Sequence, residues 1–86
     1  NRMLVAFKML ERGIPRSGYK IFINEVHVGY VTSGTQSPEL DLGIGMAYID
    51  LPYNKINQYI SIAVREKLLN AIIVKSPFIT NTSLLH

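Results

Sequence analysis

V-G-Y-V-T-S-G-T-Q-S-P-E-L-D-L-G-I-G-M-A-Y-I, residues 28–49, decides how the rest of this chain is read. Two apolar runs, Val26 to Val31 and Ile44 to Ile49, enclose the polar residues Thr32, Ser33, Gly34, Thr35, Gln36, Ser37 and Pro38, which predicts strand, connector, strand. The middle of the connector is too polar for a buried strand. Gly34 is expected to supply a positive φ, and Pro38 fixes its own φ and biases Ser37 towards an extended conformation, so the connector should hold one shape. From Ser37 a single helical or 3₁₀ turn is expected through Glu39, Leu40, Asp41 and Leu42 to Gly43, because Ser is a good N-cap and Pro is tolerated at the first helical position.

Outward from this stretch, the same alternation of strands and punctuation continues. Met3 to Leu10 splits into two rows, and the charge-free row of Met3, Val5, Phe7 and Met9 is expected to face inward, with Lys8 leaning out. Gly13, Pro15 and Gly18 break any ladder between residues 11 and 18, which makes this a long crossing. Tyr19 to Ile23 and Val26 to Thr32 are expected as strands joined by a tight turn at Asn24 and Glu25. The strand Ile44 to Asp50, with Tyr48 read as a core residue, leads to a second crossing at Leu51 to Asn57. Gln58 to Val64 and Leu68 to Lys75 pair about a charged tip of Arg65, Glu66 and Lys67, and Ile79 to His86 is read as a polar tail.

Six short strands with two long crossings predict an all-β unit, and a small closed six-stranded barrel with Greek-key-type crossings is the natural form, since closure removes exposed sheet edges. The 86 residues suffice for one domain, and no apolar run reaches the ~20 residues that span a bilayer as a helix. The chain contains no cysteine, so neither disulfides nor thiolate metal sites contribute. The chemistry legible in it is sparse. Ser33 and Ser37 have no base in view, Glu39 and Asp41 have no apolar surroundings to raise a pKa, and His27 is a lone imidazole on a strand. No catalytic and no metal-binding residue is therefore expected.

Charge is uneven: Arg2, Lys8, Arg12, Arg16 and Lys20 face only Glu11 in the first 24 residues, whereas the remainder is slightly acidic. A basic quarter suits an acidic partner, a polyglutamate tail or nucleic acid, although the interleaved aromatic and basic residues of an OB-like nucleic-acid platform are reduced here to Lys8, Lys20 and Phe22. A stand-alone OB-like binder and a purely structural or dimerising domain are the competing readings.

Gly29, Val31, Thr32, Ser33, Gly34, Ser37, Pro38 and Leu40 fit a pattern G-x-V-T-S-G-x-x-S-P-x-L, and Arg12, Gly13, Ile14, Pro15, Arg16, Gly18 and Tyr19 fit G-R-G-I-P-R-x-G-Y with Glu11 in place of the first glycine. In both motifs the chain resembles the C-terminal domain of the aminomethyltransferase, or T-protein, of the glycine cleavage system. That resemblance, from Leu4 to Phe78, implies a small six-stranded barrel at the end of a longer polypeptide whose earlier, catalytic domains carry the main carboxylate. It implies transfer of a methylene group from an aminomethyl-lipoyl arm on the H-protein to tetrahydrofolate, with release of ammonia, and a cytoplasmic protein, or one of the mitochondrial matrix in a eukaryote. Within the resemblance Arg16 is the first candidate to meet a folate carboxylate or an acidic patch of H-protein, with Tyr19 beside it; the bland alternatives are a surface ion pair for Arg16 and a core position for Tyr19. An aromatic contact to folate from the C-terminal tail does not carry over, because Thr80 to Leu84 supply no aromatic residue. Folate-dependent dehydrogenases share the barrel; the R-G-I-P-R run and the Ser37 and Pro38 step favour the T-protein. The isolated barrel is expected to fold without folate, to bind it weakly and to be inactive.

Overall fold

The computed structural model describes residues 1–75. Strands β1 (Arg2–Met9), β2 (Lys20–Ile23), β3 (Val26–Ser37), β4 (Leu42–Asp50), β5 (Tyr59–Val64) and β6 (Lys67–Val74) close into a barrel in the order β1-β4-β3-β2-β5-β6. Every neighbouring pair is antiparallel. In this ring β1 and β2 lie three places apart, as do β4 and β5, so residues 10–19 and 51–58 each cross one end of the barrel. The three remaining connections are hairpins, and the expected Greek-key-type crossings are thus present.

The interior is filled from all six strands by Val5, Phe7, Met9, Ile21, Val28, Val31, Ala47, Ile49, Ile60, Ile62, Ala71 and Ile73. Along β1 the expected inward row holds for Val5, Phe7 and Met9, but Met3, near the end of the barrel, stays half exposed. Val28 and Val31 are both fully buried although simple alternation would send them to opposite faces. The register shift opposite Ile21 and Phe22, which pair with Gly29 and His27 and leave Val28 as the extra residue, supplies the reason: a bulge adds a residue to one strand and resets which row points inward.

Three expectations are corrected. First, Thr32 to Ser37 is not a connector. It is the second half of β3, paired from Ser33↔Met46 to Ser37↔Leu42, and its polar residues are accommodated because Ser33, Thr35 and Gln36 remain exposed there. Thr32, the bulged residue, donates from Oγ1 to the Met46 carbonyl at 3.2 Å. Second, Gly34 has no positive φ; its value lies in lacking a side chain, as described below. Third, Tyr48 points outward and is 38% exposed, because Ala47 and Ile49 occupy the inward row of β4.

The true turn is confined to residues 38–41. Ser37 caps it as expected: its Oγ accepts from Leu40 N at 3.2 Å, its carbonyl accepts from Asp41 N at 2.8 Å, and Asp41 closes the turn with φ 55°. The β2-β3 turn has Asn24 and Glu25 both at positive φ, 49° and 70°, the signature of a type I′ hairpin built without glycine.

Candidate functional site

The two motifs of the sequence meet at one end of the barrel. Residues 10–19 cross there, and their start is tied to β6: Leu10 N donates to the Asn70 carbonyl at 2.8 Å, and Glu11 Oε2 accepts from Asn70 N at 2.7 Å. Pro15 then sinks to full burial over the β3-β4 ladder. It fits only because two glycines leave room. A Cβ on Gly34 would lie 2.2 Å from the Pro15 carbonyl oxygen, and one on Gly43 would lie 2.6 Å from the Gly13 carbonyl oxygen and 2.7 Å from Pro15 Cδ. The S-G-x-x-S-P strand and the R-G-I-P-R crossing are therefore the two halves of a single packing unit.

Seating Pro15 fixes what flanks it. Arg16 emerges on the exposed side, and the chain turns back at once, with Tyr19 N donating to the Arg16 carbonyl at 3.2 Å and Gly18 N to Val31 O at 2.8 Å. Gly18 adopts φ 94°, a conformation that a side chain would strain. The Tyr19 ring packs half-buried against the core, which agrees with the core reading of this residue, and it also lines the space beside Arg16.

That space is a groove of about 640 Å³ between the crossing and the β5-β6 hairpin. Arg12, Arg16 and Tyr19 line one side, and Arg65, Glu66 and Lys67 line the other. Four cations face one carboxylate. Among the described residues the only ion pair is Arg2 with Asp50, so Arg16 does not form the surface ion pair considered for it, and Arg12, Arg65 and Lys67 are equally without an anionic partner. Arginine's planar fork suits carboxylates, and a shared groove of net positive charge raises the local concentration of anions.

The sequence placed Arg65 and Lys67 at a hairpin tip but had no signal bringing them to Arg16; that juxtaposition comes from ring order, which sets the β5-β6 turn at the end crossed by residues 10–19. Lys8 and Lys20 do the opposite. They lie on β1 and β2, three places apart, so with Phe22 they form no single face, and the nucleic-acid platform loses its geometry. His27 is exposed, with Nε2 2.9 Å from the Gly29 carbonyl and its ring 5.3 Å from that of Phe22. Among the described residues no group of three potential metal ligands exists.

Residues 2–79 match the family described as the glycine cleavage T-protein C-terminal barrel domain. The chain belongs to that family. An aminomethyltransferase of Listeria monocytogenes serotype 4b (strain F2365) is 50% identical to this barrel over 78 residues, covering 91% of the chain and 22% of that protein. One of Bacillus mycoides (strain KBAB4) is 46% identical over 78 residues. The crystal structure of glycine cleavage system aminomethyltransferase T from Bartonella henselae superposes with a TM-score of 0.80 at 28% identity, over 90% of this chain and 22% of that one. This T-protein barrel thus spans about a fifth of the length of the curated relatives it matches.

Proposed function

We propose that this barrel is the C-terminal domain of a tetrahydrofolate-dependent aminomethyltransferase of glycine catabolism. In that role it closes and supports a folate cavity whose catalytic carboxylate belongs to the preceding domains. The observation that carries this reading is the family match over residues 2–79 together with relatives, named aminomethyltransferase, of whose length the match covers 22%. The full enzyme would take the methylene group from the aminomethyl-lipoyl arm of H-protein to tetrahydrofolate and release ammonia, in the cytoplasm or, in a eukaryote, the mitochondrial matrix.

The donor set of the groove suits such substrates. Tetrahydrofolate carries glutamate carboxylates, and the guanidinium groups of Arg12 and Arg16 are exposed and free of ion-pair partners within the described chain. Arg16 would hold a folate carboxylate or an acidic patch of H-protein, with the Tyr19 hydroxyl beside it. The barrel contributes position and charge; proton transfer and C–N cleavage fall to the other domains.

Exchanging the corresponding segment of the Listeria monocytogenes enzyme for residues 2–79 of this chain tests the reading. The chimera should form 5,10-methylenetetrahydrofolate in the presence of aminomethyl-lipoyl H-protein. A chimera that melts cooperatively like the parent and yet makes no product would refute it. In an active chimera, Arg16→Ala should raise KM for tetrahydrofolate or for H-protein by about 5- to 30-fold, the worth of roughly 1–2 kcal/mol for one charge-assisted pair. An unchanged KM for both would remove Arg16 from the site.

A further inference from the structure

Exposed apolar residues occur all round this barrel, and one group of them runs across three neighbouring strands. Leu4, Tyr48 and Tyr30 stand side by side across β1, β4 and β3 in direct register, facing outward, with the two tyrosine rings 5.9 Å apart. Leu4 and Tyr48 are 43% and 38% exposed. The patch continues round the end crossed by residues 51–58, where Leu51, Tyr53 and Met3 are also exposed, and Asn54 Nδ2 reaches Met3 Sδ at 3.1 Å. At its centre Arg2 donates from Nε to Asp50 Oδ1 at 2.7 Å and lies over the Tyr30 ring. Apolar and aromatic residues around one ion pair make up the composition of an interdomain contact, more polar than a core and more apolar than open surface. The opposite end also exposes Leu10, Ile14 and Leu40, but its groove is lined by three arginines and a lysine.

The path of the chain identifies the occupant. β1 begins at Arg2 within this patch, and Leu51 N donates to the Asn1 carbonyl at 3.0 Å, so whatever precedes Asn1 leaves the barrel from the patch itself. The relatives hold nearly four-fifths of their length outside the region matched here. We infer that the surface formed by Leu4, Tyr30, Tyr48, Met3, Leu51 and Tyr53 is the docking face for the polypeptide that precedes this barrel in the longer chain. The inference rests on the proposed reading of the barrel as one domain of a longer enzyme, and it adds which wall of the barrel faces the other domains.

Hydroxyl-radical footprinting of the full-length polypeptide, read by mass spectrometry at single residues, tests it. Tyr59 is the internal reference: it is 66% exposed and lies on β5, directly across the ring from β4. On exposure alone Tyr48 and Tyr53, at 38% and 36%, would react within about twofold of Tyr59. Docking should slow both about fivefold or more beyond that, as contact cores exclude water, and the Leu4→Glu/Tyr48→Glu variant should restore the reactivity of Tyr53. The inference is overturned if Tyr48 and Tyr53 react in proportion to exposure, or if Tyr59 is the protected residue. Protection that vanishes on dilution also overturns it, since a second copy would then be the occupant. An active chimera with fully reactive Tyr48 would sink this inference and leave the proposed function standing.

Discussion

Replacing Gly34 with alanine probes the contact that unites the two motifs. In an extended strand this substitution is ordinarily mild or favourable, since alanine reduces the freedom of the unfolded chain by about 0.4–1 kcal/mol. Here the new Cβ would lie 2.2 Å from Pro15 O, 2.7 Å from Pro15 Cγ and 2.8 Å from Pro15 C. Two of those atoms are backbone, so no rotamer change relieves the contact and the crossing loop must lift by roughly 1 Å. Such overpacking costs about 1–3 kcal/mol, which leaves a net loss of about 1–2 kcal/mol after the entropic gain. For a domain of this size the loss lowers Tm by about 5–15 °C. Thermal unfolding followed by circular dichroism measures it, with Thr35→Ala on the exposed wall as the neutral control. Gly43→Ala should act similarly, and the double variant should lose less than the sum, because once the loop has lifted both methyl groups are accommodated. A Gly34→Ala protein as stable as the parent would show that Pro15 is not seated on this strand.

Other outcomes follow from the turns and from the binding chemistry. Glu25→Gly should stabilise the barrel by about 0.5–1 kcal/mol in denaturant titrations, because Glu25 holds φ 70° in a type I′ turn that glycine adopts without strain. Ser37→Ala removes the acceptor for Leu40 N and should cost about 1 kcal/mol in the same assay, with no change in the slope of unfolding. Calorimetry of the isolated barrel with tetrahydrofolate should show a cooperatively folded domain and no tight binding; micromolar affinity would mean that the folate site is complete within these residues.

Much of the architecture was legible because it depends on local chemistry. Period-two apolar rows, the glycines and prolines of residues 11–18 and the Ser37 cap are decided by neighbours along the chain, and the corresponding elements sit within one or two residues of expectation, apart from β3 and the start of β4. The extent of β3 was not legible. Thr32 to Gln36 read as loop because polar residues seldom fill a two-sided strand, yet this end of β3 leaves residues of both rows exposed and a register shift at Thr32 keeps the ladder in step. Tyr48 was misplaced for a related reason: alternation gives two rows, and only the pairing of β4 with β1 and β3 says which row is inside. At the candidate site the sequence singled out Arg16 and Tyr19, while the partnership with Arg65 and Lys67 awaited the ring order.

By itself, then, the sequence determined a strand-and-crossing plan, a basic crossing loop and membership of a family, since each rests on residue types at short separations. Tertiary structure alone decided that Pro15 is seated against Gly34 and Gly43, that four cations share a groove, and that an apolar face surrounds the start of the chain. Those arrangements depend on which strands become neighbours when the sheet closes, and contacts between residues far apart along the chain leave no periodic mark in it.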